Sequence, residues 1–265
     1  MTEVRLHWPG GQVPACLIVD DPTPCRNPAW YEFPKAGNVA VVPNRFAERF
    51  ADLMDSEGVA GKFSVVPCPG AQGRIDQGLP GVAPEELSEF LGIVRERIAP
   101  RWSLSPELLT HNYALDIETF RPLPEREDAW IGRQDEPTLT RYVSLALQIL
   151  RNVGLEPDGV TSPWLAGIDN EDRYTRAISA ALRDVCGVSV GWYFVHSDWT
   201  SPYVEPKVAR LDTAERTALV SLVAGSELDF AWFTQRGETA DIDSLATADG
   251  QGGRLSQLFA HRSPM

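Results

Sequence analysis

Any chemistry in this chain must come from a few carboxylates and very few imidazoles. Asp20 and Asp21 stand side by side after the apolar run Ala15-Cys16-Leu17-Ile18-Val19. Two adjacent carboxylates at the end of a buried strand are costly to desolvate unless they meet a cation or stay open to water. Successive side chains of a strand point to opposite faces, so one Asp could take a metal while its neighbour addresses a substrate or water. A solvated strand end is the plainer reading. The chain has only four histidines. His111 follows the apolar stretch Leu108-Leu109-Thr110, and Asp116 comes shortly after it. Imidazole and carboxylate can converge on a divalent ion, zinc above all, although a lone His is more often a packed core or loop residue. In Thr161-Ser162-Pro163-Trp164 a Trp behind a proline makes a rigid aromatic platform that could stack on a sugar or base, or else a core Trp. His196, in His196-Ser197-Asp198-Trp199, ends a later strand and is available as an acid or base. His7 and His261 gain no role from their spacing.

Missing motifs narrow the field. There is no G-x-x-x-x-G-K-[ST], no G-x-S-x-G, no H-E-x-x-H, and no Gly-rich turn in the strand-to-helix context of a dinucleotide site. These absences disfavour P-loop nucleotide chemistry, the common α/β serine hydrolases and zincin proteolysis.

The elements that would position these residues alternate along the chain. A short strand over 15–19 precedes a loop rich in proline and aromatics at 22–42, which contains Trp30 and Tyr31. We expect Pro22 to hold Asp21 extended. A helix from Asn44 to Glu57 carries Phe46, Phe50, Leu53 and Met54 on one stripe. Lys62 to Val66 reads as a strand, followed by a Gly/Pro-rich loop at 67–83. A helix runs from Pro84 to about Ile98, with Leu87, Phe90, Leu91 and Val94 facing inward. A third strand is expected to end near His111, and a polar, irregular excursion occupies 117–136. Thr138 to Val153 is a helix, Val160-Thr161 a strand, and 170–185 a helix. Strands follow at Val188–His196 and Ala218–Ala224, and a short helix at Leu255–Phe259. Strands alternating with helices imply βαβ units and a mainly parallel sheet. The polar residues gather at strand C-terminal ends, the edge where parallel α/β folds bind ligands.

The chain has 265 residues and a net charge of −13. Its length fits one large domain or two small ones at roughly 150 residues per domain, and equally a barrel of roughly 250 residues. No linker divides it, and we expect one domain over 1–265. The acidic balance argues against nucleic-acid binding, which needs clustered Lys and Arg. Four cysteines at 16, 25, 68 and 186 form neither a C-x-x-C pair nor a disulfide framework. No run is long and apolar enough to span a membrane, and Met1–Gly10 lacks the pattern of a signal peptide. The expected setting is a reduced cytoplasm.

Taken in order, these pieces resemble a known family. An apolar strand ends in Asp20-Asp21. A helix carrying Asn44, Leu53 and Gly58-Val59 leads into Lys62-Phe63-Ser64-Val65-Val66-Pro67. Thr110-His111 ends a later segment, and Pro163-Trp164 ends another. The arrangement resembles the polysaccharide deacetylases, the NodB-type domain of carbohydrate esterases, from about residue 15 to 200. The resemblance implies a single distorted (β/α) barrel, mainly parallel strands with helices outside, and a metal-dependent hydrolase of C–N (amide) bonds in an N-acetylated sugar. It implies Asp20 as catalytic base and Asp21 and His111 as metal ligands. The family's second His falls at Leu115, so Asp116 is our candidate for the third ligand. The family's Arg before the Pro-aromatic pair falls at Thr161. The general acid would be His196, with Phe259-Ala260-His261 a faint alternative. Trp164, Trp30 and Tyr31 would floor a groove for a small or oligomeric carbohydrate, and the cofactor would be a divalent ion, most simply zinc. Two alternatives stay open: a non-catalytic or repurposed carbohydrate-binding barrel, and a glycosidase on that scaffold.

Overall fold

A computed structural model describes residues 14–24, 43–197, 201–225 and 254–263, the side chains at 195–197 and 254–256 excepted. The chain is a mixed α/β protein that divides into two compact units. The larger unit comprises 16–195 and 208–220, and the smaller comprises 1–15, 196–207 and 221–265.

In the larger unit β1 (Leu17–Val19), β2 (Gly61–Val65) and β3 (Ser103–Pro106) pair in parallel. Glu107, just past β3, bridges in parallel to Thr161 in β6 (Gly159–Thr161), and β6 pairs in parallel with β7 (Val190–Ser197). The strand order thus follows the chain. Beyond β7 the sheet continues through β9 (Thr217–Ala224) to β8 (Lys207–Asp212). No pairing among the described residues links this sheet back to β1. Close approach of β1 and β2 needs Gly61, because a Cβ there would lie 1.8 Å from the Leu17 carbonyl oxygen.

Helices cross between the parallel strands. They are α1 (Arg45–Glu57), α2 (Pro84–Ile93, continued by a wider turn to Ile98), α4 (Glu136–Asn152) and α5 (Glu171–Ala181). The Asp135 side chain caps α4 by accepting the Thr138 N–H, and Pro84, Glu85 and Glu86 open α2 with acids at its positive end. The buried face of α2 is the expected one, with Leu87, Phe90, Leu91 and Val94 all enclosed. In α1 the inward face is instead Ala47, Phe50, Ala51 and Met54, whereas Phe46 and Leu53 are each 53% exposed.

Two further expectations change. The third strand is Ser103–Pro106, not the apolar segment that follows it. Leu108 and Leu109 are fully buried without being strand, because side chains and neighbouring carbonyls take up the loop's N–H groups. The segment 117–136 is not wholly irregular. It holds β5 (Arg121–Arg126), antiparallel to β4 (Tyr113–Asp116), and a short helix α3 (Glu127–Ile131).

Alternation along the strands separates two chemistries. Phe63, Val65 and Leu104 join the apolar core with Phe90, Leu91 and Trp102, and Val160 joins a second core with Tyr174 and Ile178. Between these positions, Lys62, Ser64, Ser105 and Thr161 are buried and bonded to one another on the other face. In the smaller unit α6 (Arg254–Ala260) packs Leu258 beside Gly225, and the Ser263 hydroxyl accepts the Val204 N–H and donates to its carbonyl. No described helix is long and apolar enough to cross a membrane.

Candidate metal centre

The end of β1 does not run on extended. Asp21 takes a positive φ of 58°, contrary to the expectation from Pro22. Aspartate tolerates this region better than most residues, yet a non-Gly residue there still costs about 1–3 kcal/mol. The turn lets the Asp21 N–H donate to Glu107 Oε2 at 3.2 Å. It also sets Asp21 Oδ2 3.2 Å from His111 Nε2. On the other side of the ring, His111 Nδ1 lies 3.1 Å from Glu107 Oε1. Asp21, Glu107 and His111 therefore converge, with one ligand atom of each within 4.8 Å of the others. No other such group occurs among the described residues.

The Asp21 side chain as a whole is 39% exposed, but its Oδ1 is sealed from solvent and lacks a hydrogen-bond partner. A buried carboxylate oxygen without a donor is an unmet demand for a proton or a cation. The charges are coupled. Burial drives Asp21 up to about 8, His111 opposes that rise, and Glu107 and Asp20 add to it. Burial would lower His111, but Asp21 and Glu107 outweigh it and hold the imidazole up to about 10. Without a metal, Asp21 and His111 both hold their protons to higher pH than such groups usually do. A nitrogen and two carboxylates suit zinc and neighbouring divalent ions, so the residues present fit such a group.

His111 also has a positive φ, 57°, and its backbone is held by Glu127. That carboxylate is fully buried. Its Oε1 accepts from the Leu109 N–H at 3.0 Å, the Thr110 N–H at 3.1 Å and the Tyr142 hydroxyl at 2.7 Å. Its Oε2 accepts from the His111 N–H at 2.8 Å. Burial pushes Glu127 up to about 7 against the hydrogen bonds of Tyr142, Leu109 and Thr110. Trp164, at φ 51°, stacks its ring on the His111 imidazole, with centroids 5.8 Å apart, and the Arg126 guanidinium lies 5.5 Å from its ring centre.

Asp20 faces a different partner. The buried Lys62 ammonium donates to Asp20 Oδ1, to Ser64 Oγ at 2.7 Å and to Thr161 Oγ1 at 2.9 Å. The Ser64 hydroxyl also donates to Asp20 Oδ1, at 3.2 Å. Thr161, where the resemblance expects an Arg, is thus in contact with a lysine from β2.

Four of the anticipated residues gather here: Asp20, Asp21, His111 and Trp164. Asp116 does not. It ends β4, and its Oδ1 accepts the N–H groups of Glu118 and Thr119, which holds its pKa below the usual carboxylate range. Glu107 is the residue that converges with Asp21 and His111. His196 lies in β7, but its side chain is outside the described residues, as are Trp30 and Tyr31. His261 sits in an exposed turn after α6 in the smaller unit. Sequence reasoning missed Glu107, Lys62 and Glu127. Glu107 is one helical-turn spacing before His111, and Lys62 and Ser64 alternate with Phe63 and Val65 in a strand whose polar positions were given no role. Nothing in the sequence around Glu127 signals its role. No known protein family, curated protein or solved structure matches the chain.

Proposed function

We propose that this chain is a metal-dependent hydrolase of an amide bond, acting on an N-acetylated sugar, with a divalent ion such as zinc held by Asp21, Glu107 and His111. The observation that carries this reading is the convergence of those three side chains, with the donorless Asp21 Oδ1, beside a second carboxylate at the C-terminal edge of a parallel sheet. A bound divalent ion supplies Lewis-acid polarisation of a carbonyl and a lower pKa for water.

Asp20 is the proton acceptor in this reading. Lys62 and Ser64 both bond its Oδ1, so Oδ2 is left to take a proton from water. Its side chain is 38% exposed, which gives substrate access. Trp164 packs the imidazole in place and offers an aromatic edge to a sugar ring. Glu127 fixes the backbone that carries His111.

We also propose that the larger unit folds as a distorted (β/α) barrel. Strands in chain order with same-handed crossovers put the helices on one face. The opposite face carries Lys62, Ser64, Ser105 and Thr161, all buried, whereas a doubly covered sheet would be apolar on both faces. The free thiols of Cys16, Cys68 and Cys186 support a reducing, cytoplasmic setting.

Metal analysis after mild dialysis tests the reading. One zinc, cobalt, nickel or manganese ion per chain is expected, and it should be lost in Asp21→Ala, Glu107→Ala and His111→Ala. Acetate release from acetylated chito-oligosaccharides should occur with the wild type and collapse in Asp20→Asn. A chain that takes up no metal under any condition overturns the proposal.

A further inference from the structure

A lysine buried in the middle of a parallel sheet needs an explanation. Lys62 is 2% exposed. An isolated buried ammonium is untenable, and a buried charge persists only where it is paired and hydrogen-bonded. Its three N–H groups meet three acceptors: Asp20 Oδ1, Ser64 Oγ and Thr161 Oγ1. The Phe194 ring lies 4.7 Å from the ammonium. No donor is left over for a substrate, so Lys62 acts only through the groups it holds.

Among those groups only Asp20 is charged. It adjoins Asp21, which faces His111 and Glu107. Three carboxylates thus lie around one cation site, yet only two of them converge with the imidazole. The third is drawn to the lysine. Two bonds on the same oxygen, from Lys62 and Ser64, fix the Asp20 carboxylate on the sheet's interior face. The hydroxyls of Ser64 and Ser105 each bond Thr161 Oγ1 at 2.9 Å and keep the lysine's acceptors in place.

We propose that Lys62 is a positioning residue that divides two neighbouring carboxylates between two roles, holding Asp20 off the cation so that it stays a free proton acceptor while Asp21 serves as ligand. This rests on the metallohydrolase reading given above. Removing the lysine frees Asp20 to swing towards the cation, which strengthens metal binding and weakens turnover together.

The test uses the full chain as Lys62→Met, Lys62→Arg, Asp20→Asn and the double variant Lys62→Met/Asp20→Asn, with folding checked by circular dichroism. Zinc affinity is read by competition with a chelating dye, and kcat and KM by acetate release. Lys62→Met should bind zinc about 10-fold more tightly. Its kcat should fall about 100-fold, with KM within about threefold of the wild type. Lys62→Arg keeps the charge and should restore wild-type zinc affinity and part of kcat. In the Asp20→Asn background, Lys62→Met should give no tightening, because the gain needs the carboxylate. The proposal is overturned if Lys62→Met folds and changes neither quantity, or if the tightening persists without Asp20, which would make it a bulk charge effect. If Lys62→Met does not fold, the Lys62→Arg comparison decides: wild-type zinc binding with kcat equal to that of Asp20→Asn overturns it. Zinc results as expected in a chain that releases no acetate would keep Lys62 as the group that holds Asp20 off the cation, but overturn its part in keeping Asp20 a proton acceptor together with the deacetylase reading. A wild type that binds no zinc would remove both.

Discussion

Replacing Glu127 with Gln changes one atom and should loosen the whole His111 loop. The carboxylate accepts four hydrogen bonds, three on Oε1 and one on Oε2. A glutamine with its oxygen at the Oε1 position keeps three of them as neutral bonds. Its amide nitrogen then meets the His111 N–H, donor against donor. Hydrogen bonds to charged groups contribute about 1.5–3 kcal/mol and neutral ones about 0.5–1.5 kcal/mol, while a stranded buried donor costs about 1–3 kcal/mol. Relief of the buried charge offsets part of this, so we expect a net loss of about 2–4 kcal/mol. For a chain of this size that is a fall in Tm of roughly 4–16 °C. Urea unfolding at pH 8, where Glu127 is ionised, measures it directly. The pH dependence adds a second check. Burial raises Glu127 from 4.5 to about 7, so the wild type gains a contribution that is complete below about 4.5 and is lost as pH rises through about 7. Gln lacks that contribution, and the gap between the two proteins should therefore widen as pH falls from 8 towards 5. Zinc affinity should fall about 10-fold in the same variant, since the carboxylate anchors the backbone of His111, a proposed ligand. A loss below about 0.5 kcal/mol at pH 8, or a gap that narrows on acidification, would refute this account of Glu127.

Two further outcomes follow from the site. In chelator-treated protein, His111 is raised from 6.5 to about 10 and Asp21 from 3.8 to about 8, so both contributions are lost as pH rises through those values. The Tm of metal-free wild type should fall between pH 6.5 and about 10 more steeply than that of His111→Gln, and parallel curves would contradict the raised pKa of His111. Asp116→Ala should keep its full metal content and lose only the little stability of a solvent-facing turn, and a loss of metal would restore Asp116 as a ligand.

Much of the scaffold was legible because it is local. Helices α1, α2, α4 and α5 fall within a few residues of the periodic stripes that announced them, as do strands β1, β2, β6, β7 and β9. The apolar stretch at 108–110 misled because burial and strand pairing usually coincide in a parallel sheet. Here the hydrogen bonds of a distant glutamate replaced the ladder. Asp116 misled because proximity in sequence stood in for proximity in space, and a hairpin carried it to its own turn.

The sequence by itself determined an acidic α/β chain whose polar residues collect at strand ends, and it singled out Asp20, Asp21, His111 and Trp164. Periodicity and chain punctuation act within a few residues, so they suffice for that. Tertiary structure alone decided that Glu107 joins Asp21 and His111, that Lys62 claims Asp20, and that Glu127 holds the backbone of the His111 loop. Each of these contacts joins different strands or loops, and only the pairing of β1, β2, β3 and β6 brings their charges within reach of one another.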